Sequence, residues 1–377
     1  MRVSLLNICV IHIFSSICGT VVALPRSYKR TTPSTAAISY ANWSKSAIAE
    51  LQTYYNTTTG LWGNEWWNSA NVVTMLADAQ EYYPSYVQDV TDTVFSNTLA
   101  KAPTVPGFTG FLDGFYDDEL WWVLAWIKVY DVTKDPKYLD AASAIFEDPK
   151  SVWGTTPCGG LWWDKAHTSV VAIANNLYLT AAAKLANRKP HTPSPGYYFK
   201  EAMNAYNWLI NSTLINSQNV LNDGLDLTTC KNNGFPVFTY NQGAPLSGLV
   251  ELTWATGDPK YNNLANTIAT SAISVLTDSN GVLHEPCEPH ACDGDEGQFK
   301  GVFARNIQFM YNRANILPDD TKALYKAFLQ TNANSIWNSD RGPNDTLGLV
   351  WNGTYQAADV QTQSSALDAL VGAMNVS

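Results

Sequence analysis

From Ile38 onward the apolar residues recur at three- and four-residue intervals, the spacing of one face of an α-helix. The pattern predicts twelve helical segments, at roughly 38–56, 65–82, 84–101, 117–131, 135–148, 165–187, 195–212, 242–256, 258–277, 296–315, 319–338 and 361–374. Breakers separate them at Pro84, Pro136, Pro195, Gly257-Asp258-Pro259 and Pro318, positions where proline's fixed φ and missing N–H open a helix. No alternating run is long enough for a large sheet, although short strand pairs are predicted near 280–284 or 347–351.

The segments fall into two alternating sets. One set is introduced by aromatic, acidic or glycine-bearing loops: GNEWWN, GFYDDELWW, GGLWWDKAHT, FTYNQG, CDGDEGQFKG and VQTQSS. The other set starts plainly, often with proline, and two of its starts, DVTKDPKYLDAA and ATGDPKYNNLAN, resemble each other. Six helical hairpins, each with one helix inside and one outside, give an all-α, (α/α)6 toroid (barrel) with the rich loops gathered at one end. A linear solenoid would need a tighter repeat. No linker or charge run divides residues 38–377, which are read as a single domain.

Composition narrows what that end of the toroid can bind. The 46% hydrophobic content supports a large core, and many of the 14 Trp are paired at helix starts, where rings can line a cleft as well as fill a core. A net charge of −10 excludes nucleic acid as a natural partner and suits a neutral ligand such as a sugar.

The first residues read as a processing signal. Arg2 precedes an apolar run from Val3 to Cys18, too short for a membrane span, and Val21-Val22-Ala23 offers a small-residue cleavage site. Residues 1–23 are therefore a signal peptide, and 24–37 a pro-segment or flexible N-terminus with a dibasic Lys29-Arg30. Six sequons, at Asn42, Asn56, Asn211, Asn344, Asn352 and Asn375, fit a glycosylated protein secreted from the cell, with association to a cell wall as a variant. Removal of Cys9 and Cys18 leaves Cys158, Cys230, Cys287 and Cys292, an even count that suggests two disulfides in an oxidising compartment. Three pairings are possible; the close spacing favours Cys287–Cys292, with Cys158–Cys230 as the longer tie. No hydrophobic tail follows the last segment, so neither a membrane span nor a lipid-anchor signal is expected, and the mature protein is expected to be a soluble monomer.

Candidate chemistry centres on Gly110 to Trp122, GFLDGFYDDELWW. Asp117 and Asp118 stand between an aromatic loop containing Phe111, Phe115 and Tyr116 and a helix beginning near Glu119, whose first turn favours acids. Two carboxylates walled by large rings can titrate apart, one raised by its environment while its neighbour stays ionised, and such a pair is what glycosidic bond cleavage requires. Trp66, Trp67, Tyr116, Trp121, Trp162 and Trp163 are candidate ring platforms, while Asp164, Asn175, Tyr240, Asn241 and Gln242 are candidate partners for hydroxyl groups; Trp62, Asn176 and Phe238 lie beside them. For each, core packing or helix capping is the competing role. The run from His284 to Glu296 could suggest zinc through Cys and His, or calcium through Asp293 and Asp295. Bridged cysteines and a spacing unlike an EF-hand favour no metal, with the run acting as a stapled rim loop. No phosphate loop, dinucleotide fingerprint or serine nucleophile elbow is present, and no cofactor is expected.

DGFYDDELWWVLAWIKVYDVTKDPKYLDAA, GGLWWD, YNQGAPLSGLVEL and DEGQFKGVFARN, in order from about residue 40 to the C-terminus, resemble the secreted fungal branch of glycoside hydrolase family 76. The resemblance implies an (α/α)6 endo-α-1,6-mannanase acting on mannan by a retaining mechanism, with Asp117 as nucleophile and Asp118 as general acid/base. Some relatives are cell-wall transglycosylases acting on anchor glycans, so transfer by the same aspartates is the alternative, and a non-catalytic mannan-binding wall protein is a second. Retention needs carboxyl groups about 5–5.5 Å apart. Neighbouring residues on a regular helix diverge by about 100°, so Asp117 and Asp118 are expected in the loop or the first turn.

Overall fold

The computed structural model describes residues 34–290, 292, 294–314 and 317–377. The signal segment and Lys29-Arg30 lie outside the described residues. Twelve α-helices account for the bulk of these: α1 (Thr35–Leu51), α2 (Trp66–Tyr82), α3 (Pro84–Lys101), α4 (Tyr116–Thr133), α5 (Pro136–Ser151), α6 (Ala172–Arg188), α7 (Tyr197–Asn211), α8 (Thr239–Thr256), α9 (Lys260–Leu276), α10 (Phe299–Arg313), α11 (Asp319–Ser339) and α12 (Val360–Val376). α1 starts inside the stretch expected to precede the domain, because the Ser34 hydroxyl caps it by accepting from Ala37 N at 3.0 Å.

The even-numbered helices form a closed inner ring in which α2, α4, α6, α8, α10 and α12 pack in succession and α12 returns to α2. α1, α3, α5, α7, α9 and α11 lie outside them. The inner helices are enclosed on all sides, as α12 shows: every residue from Val360 to Val376 is buried. Close approach depends on missing side chains. A Cβ on Gly243 would lie 2.7 Å from Phe303 Cα of α10, and one on Gly248 would lie 2.7 Å from Thr180 Cα of α6.

Two helix boundaries differ from the periodic pattern. α1 stops at Leu51 rather than continuing to 56, because Tyr55–Asn56 pairs antiparallel with Leu61–Trp62. The segment expected from 165 becomes helical only at Ala172. Asp164 accepts from Thr168 N (2.8 Å) and Thr168 Oγ1 (2.6 Å), closing a turn, and β-branched Val170–Val171 then pairs with Gly224–Leu225. The strand pairs expected near 280–284 and 347–351 reduce to single bridges, Thr277 with Leu283 and Arg341 with Leu347.

Pro245 lies inside α8 and cannot donate to the carbonyl of Asn241. Asn176 of α6 supplies the missing donor, its Nδ2 lying 3.2 Å from Asn241 O. Both disulfides follow the favoured pairing, Cys158–Cys230 and Cys287–Cys292. Among the described residues no helix is long and apolar enough to cross a membrane.

Candidate active site

Inner and outer helices alternate, so all inner helices run the same way and their N-termini meet at one end of the toroid. A cavity of about 780 Å³ opens there, lined by the first turns of α2, α4, α8 and α10 and by the loops before α4, α6 and α8. Asp117 and Asp118 both line it, in the first turn of α4. That helix starts at Tyr116, one residue before the predicted segment 117–131, after Phe115 in extended conformation. The start is fixed by pairing with the loop at 163–165: Tyr116 N donates to Trp163 O at 2.9 Å, and Lys165 N donates to Gly114 O at 2.9 Å.

The two carboxyl groups have different surroundings. Asp117 is 8% exposed; its Oδ2 accepts from Trp163 Nε1 at 3.1 Å, and its buried Oδ1 has no protein partner. Burial pushes Asp117 up to about 7, against the indole N–H bond, which favours the ionised form. Burial also raises Asp118 well above the usual carboxylate range, and the charges of Asp117 and Asp113 add to the effect. Asp113 hydrogen-bonds the Asp118 carboxyl, and is itself held by Phe115 N donating to Asp113 Oδ1 at 2.9 Å and by its own N–H donating to Glu119 Oε1 at 3.2 Å. The sequence suggested one raised and one ordinary acid. Burial raises both, and at Asp118 the neighbouring carboxylates of Asp117 and Asp113 act in the same direction.

Aromatic rings form the walls. Trp66 stacks on Phe108 with ring centroids 3.6 Å apart, Tyr240 stacks on Phe299 at 3.6 Å, and Phe115 leans on Trp163 at 5.0 Å. Trp67 lies 5.9 Å from Trp121 and donates from Nε1 to Asp295 Oδ1 at 3.1 Å. Trp66, Trp67, Trp121, Trp163 and Tyr240 therefore stand where the sequence suggested, in the cavity wall.

Six other candidates are not brought to the cavity. Tyr116 is buried, with the Lys165 ammonium 5.6 Å above its ring. Trp162 faces the opposite way from Trp163 and stacks on His167 at 4.7 Å. Asp164 spends both oxygens on Thr168. Asn175 accepts from Leu161 N (2.8 Å) and donates to Leu161 O (3.1 Å) and Val171 O (2.9 Å), which pins the Gly-Gly loop to α6. Gln242 does the same for Leu221, accepting from its N–H at 2.7 Å and donating to its carbonyl at 2.8 Å. Asn241 is fully buried and donates to Asp223 Oδ1 at 3.1 Å, so it acts on the cavity only through that carboxylate. Of the flanking residues, Trp62 is fully buried core.

Asp223, Asp226 and Phe235 line the cavity without having been singled out in the sequence. They lie in the long non-helical stretch between α7 and α8, where no periodicity marks a face; its one signal was Cys230, which ties the stretch to Cys158. Glu65, immediately before α2, was overlooked beside its two tryptophans.

The rim loop before α10 is stapled as expected. Lys300 is fully buried and bonded to Glu288, and it donates to Leu349 O at 2.6 Å. The zinc alternative loses its thiolates, since Cys287 and Cys292 are bonded to each other. Asp293, half of the calcium alternative, lies outside the described residues. Among the sequons, Asn42, Asn56, Asn211, Asn344 and Asn352 are exposed. Asn375 is 9% exposed in α12 and donates to Asp78 O at 3.4 Å, which leaves no space for a glycan on that amide.

Comparison with known proteins bears on this geometry. The model described as "Glycosyl hydrolase family 76" matches residues 39–377. A Schizosaccharomyces pombe protein provisionally named mannan endo-1,6-alpha-mannosidase is 23% identical over 329 residues, spanning 80% of this chain and 72% of its own. Among solved structures, an inactive alpha-1,6-mannanase from Salegentibacter sp. HEL1_6, with two consecutive aspartates replaced by alanine and alpha-1,6-mannotetrose bound, superposes with TM-score 0.78. It is 21% identical, and the match covers 90% of this chain and 99% of that one. Dfg5 from Chaetomium thermophilum, in complex with glucosamine, superposes with TM-score 0.77 at 17% identity, covering 93% and 92% of the two chains.

Proposed function

The chain belongs to glycosyl hydrolase family 76, and from that premise we propose that it cleaves internal α-1,6-mannosidic linkages of mannan with retention of anomeric configuration. The observation that carries this reading is the Asp117–Asp118 pair, set in the first turn of α4 at the wall of an aromatic cavity, with Asp118 raised by burial and by the carboxylates of Asp117 and Asp113. The inactivation of the Salegentibacter mannanase by replacement of two consecutive aspartates supports the same assignment.

In the proposed cycle Asp117 attacks the anomeric carbon while Asp118 protonates the departing glycosidic oxygen. Asp118, now ionised, then takes a proton from the water that releases mannose from Asp117. Asp117 meets this role through its unpartnered Oδ1, while Trp163 Nε1 orients the other oxygen. Asp118 suits the acid step because burial and two neighbouring carboxylates keep its proton on at a pH where an ordinary aspartate has lost it. The N-terminal apolar segment, the exposed sequons and the two disulfides support an exported, glycosylated enzyme that meets mannan outside the cell.

The test is to digest linear α-1,6-mannan with the purified protein and to follow product size and the first-formed anomer by NMR. A ladder of short oligosaccharides released as α-anomers is expected, and Asp117→Asn should abolish it. Products released as β-anomers would overturn the retaining mechanism. Products longer than the substrate, formed when a mannoside acceptor is added, would replace hydrolysis by transfer.

A further inference from the structure

The cavity is charged with one sign. The carboxyl groups of its lining are those of Glu65, Asp117, Asp118, Asp223, Asp226 and Asp295, and among the described residues no lysine, arginine or histidine lines it. The nearest cations are already committed elsewhere. Lys165 bridges Glu119 at 2.7 Å and Asp148 at 2.9 Å; Arg305, behind Trp121, pairs with Asp368 at 3.1 Å; Lys300 is bonded to Glu288. Lys231 is exposed on the same loop as Asp226 but does not line the cavity. The site is also built to receive something polar, since the buried Oδ1 of Asp117 and the buried Nε1 of Trp66 both lack protein partners in the cavity wall. Carboxylates in a partly dehydrated cleft repel an anion more strongly than they would in open water, and a ring of them acts together.

Building on the hydrolase reading above, we propose that the cleft selects substrate by charge: it takes uncharged mannan and excludes mannan whose hydroxyls carry phosphate, with Glu65, Asp226 and Asp295 as the selecting residues of the rim. Asp226 and Asp295 are exposed and Glu65 is half-buried before α2, so a branch or substituent entering the cleft meets them before it meets Asp117 and Asp118. Asp226 Oδ1 accepts from Thr229 N (2.7 Å), Thr229 Oγ1 (2.8 Å) and Thr228 N (3.1 Å), bonds that hold its carboxyl below the usual range. A neutral mannose residue presents only hydroxyl donors to this wall, and each can give a hydrogen bond to a carboxylate. A phosphate presents charge of the same sign and no cation to receive it.

The test compares one α-1,6-mannohexaose with the same oligosaccharide carrying a single phosphate monoester on a secondary hydroxyl away from the cleaved bond. At low ionic strength kcat/KM for the phosphorylated sugar is expected to fall at least about 30-fold below that of the neutral one. Raising the salt to several hundred millimolar should close much of the gap, because screening acts within a few ångströms at that strength. The double variant Glu65→Gln, Asp226→Asn should narrow the ratio about 3- to 10-fold, whatever it does to either rate alone. Equal rates on the two sugars would overturn the proposal. A gap that ignores both salt and the double variant would also overturn it, since that outcome marks exclusion by size. Failure to cleave the neutral sugar would count against the hydrolase reading alone; the calorimetric Kd of the same two sugars would then read the selectivity, with equal affinities overturning it.

Discussion

The two ends of the toroid axis hold opposite charge, and they use it differently. At the N-terminal ends of the inner helices six carboxyl groups line the cavity, and among the described residues no basic residue joins them. At the C-terminal ends a second cavity, of about 510 Å³, is lined by Lys128, Lys134, Lys184, Arg188, Arg305 and Arg313 together with Asp78, Glu81 and Asp131. Helix dipoles favour this polarity, acids at N-termini and bases at C-termini. What separates the ends is pairing. Lys128 bridges Asp78 and Glu81, both at 2.6 Å; Arg188 bridges Asp131 at 2.5 Å and Glu251 at 3.0 Å; Arg313 pairs with Glu81. These charges answer one another and knit five helices, α2, α4, α6, α8 and α10, together. Among the described residues, the carboxylates of the other end answer only to indole, amide, hydroxyl and carboxyl neighbours and to no cation within the cavity lining. In the proposed reading, paired charge is scaffold and unpaired charge is chemistry.

That distinction predicts opposite phenotypes. Asp117→Asn should lower kcat by about 10⁴-fold, equivalent to ~5.5 kcal/mol of barrier, while leaving the far-ultraviolet circular dichroism unchanged; a variant with near-normal turnover would remove the nucleophile assignment. Arg188→Met leaves two acids buried beside an apolar chain and should cost about 3–5 kcal/mol of stability, read from denaturant midpoints. Activity per folded molecule should survive, and its loss would show that the two ends are coupled.

The third effect lies in the dependence of stability on pH. Burial pushes Asp117 up to about 7, and Glu285 and Asp340 up to about 8. A carboxyl raised on folding means that between the unfolded value near 4 and the folded value the native state holds more protons than the unfolded chain. Stability should therefore fall as pH rises from about 4 to 8, and Tm should be higher at pH 5 than at pH 8. Asp117→Asn should recover on the order of 2–4 kcal/mol of the loss at pH 8; a Tm that climbs towards pH 8 would contradict the burial of these groups. The smallest effect concerns the pH–rate profile. In the proposed cycle kcat/KM needs Asp117 ionised and Asp118 protonated, so the acid limb should lie near 7 rather than near 4. Trp163→Phe removes the N–H that favours the ionised form and should move that limb upward by about half a unit to one unit. A limb that stays in place would show that the indole only fills space.

Much of the working end was legible in the sequence because it is tied to helix starts. The Asp117–Asp118 pair, the rings at Trp66, Trp67 and Trp121, and Tyr240 could all be located from the periodic runs that begin at or just after them. Where helical periodicity stops, legibility stops as well. Trp162 and Trp163 are adjacent in irregular backbone, so one faces the cavity and the other faces His167. Asn175 and Gln242 carry the polarity a sugar would want, but backbone groups of Leu161 and Leu221, distant in the chain, claim it first. Asp223 and Asp226 had no periodic frame at all.

The sequence by itself determined the twelve helices, their alternation into two sets and the carboxylate pair, because each is written in local spacing: apolar period, proline position and loop composition within a few residues. Only the tertiary structure decided which polar side chains were free to meet a ligand and which charges cancelled. Those outcomes depend on partners brought together by closure of the ring, as when Asn176 satisfies the carbonyl that Pro245 leaves bare or Arg188 meets Asp131 and Glu251. A residue type states what a group can bind; its burial and its neighbours settle what it still has left to bind.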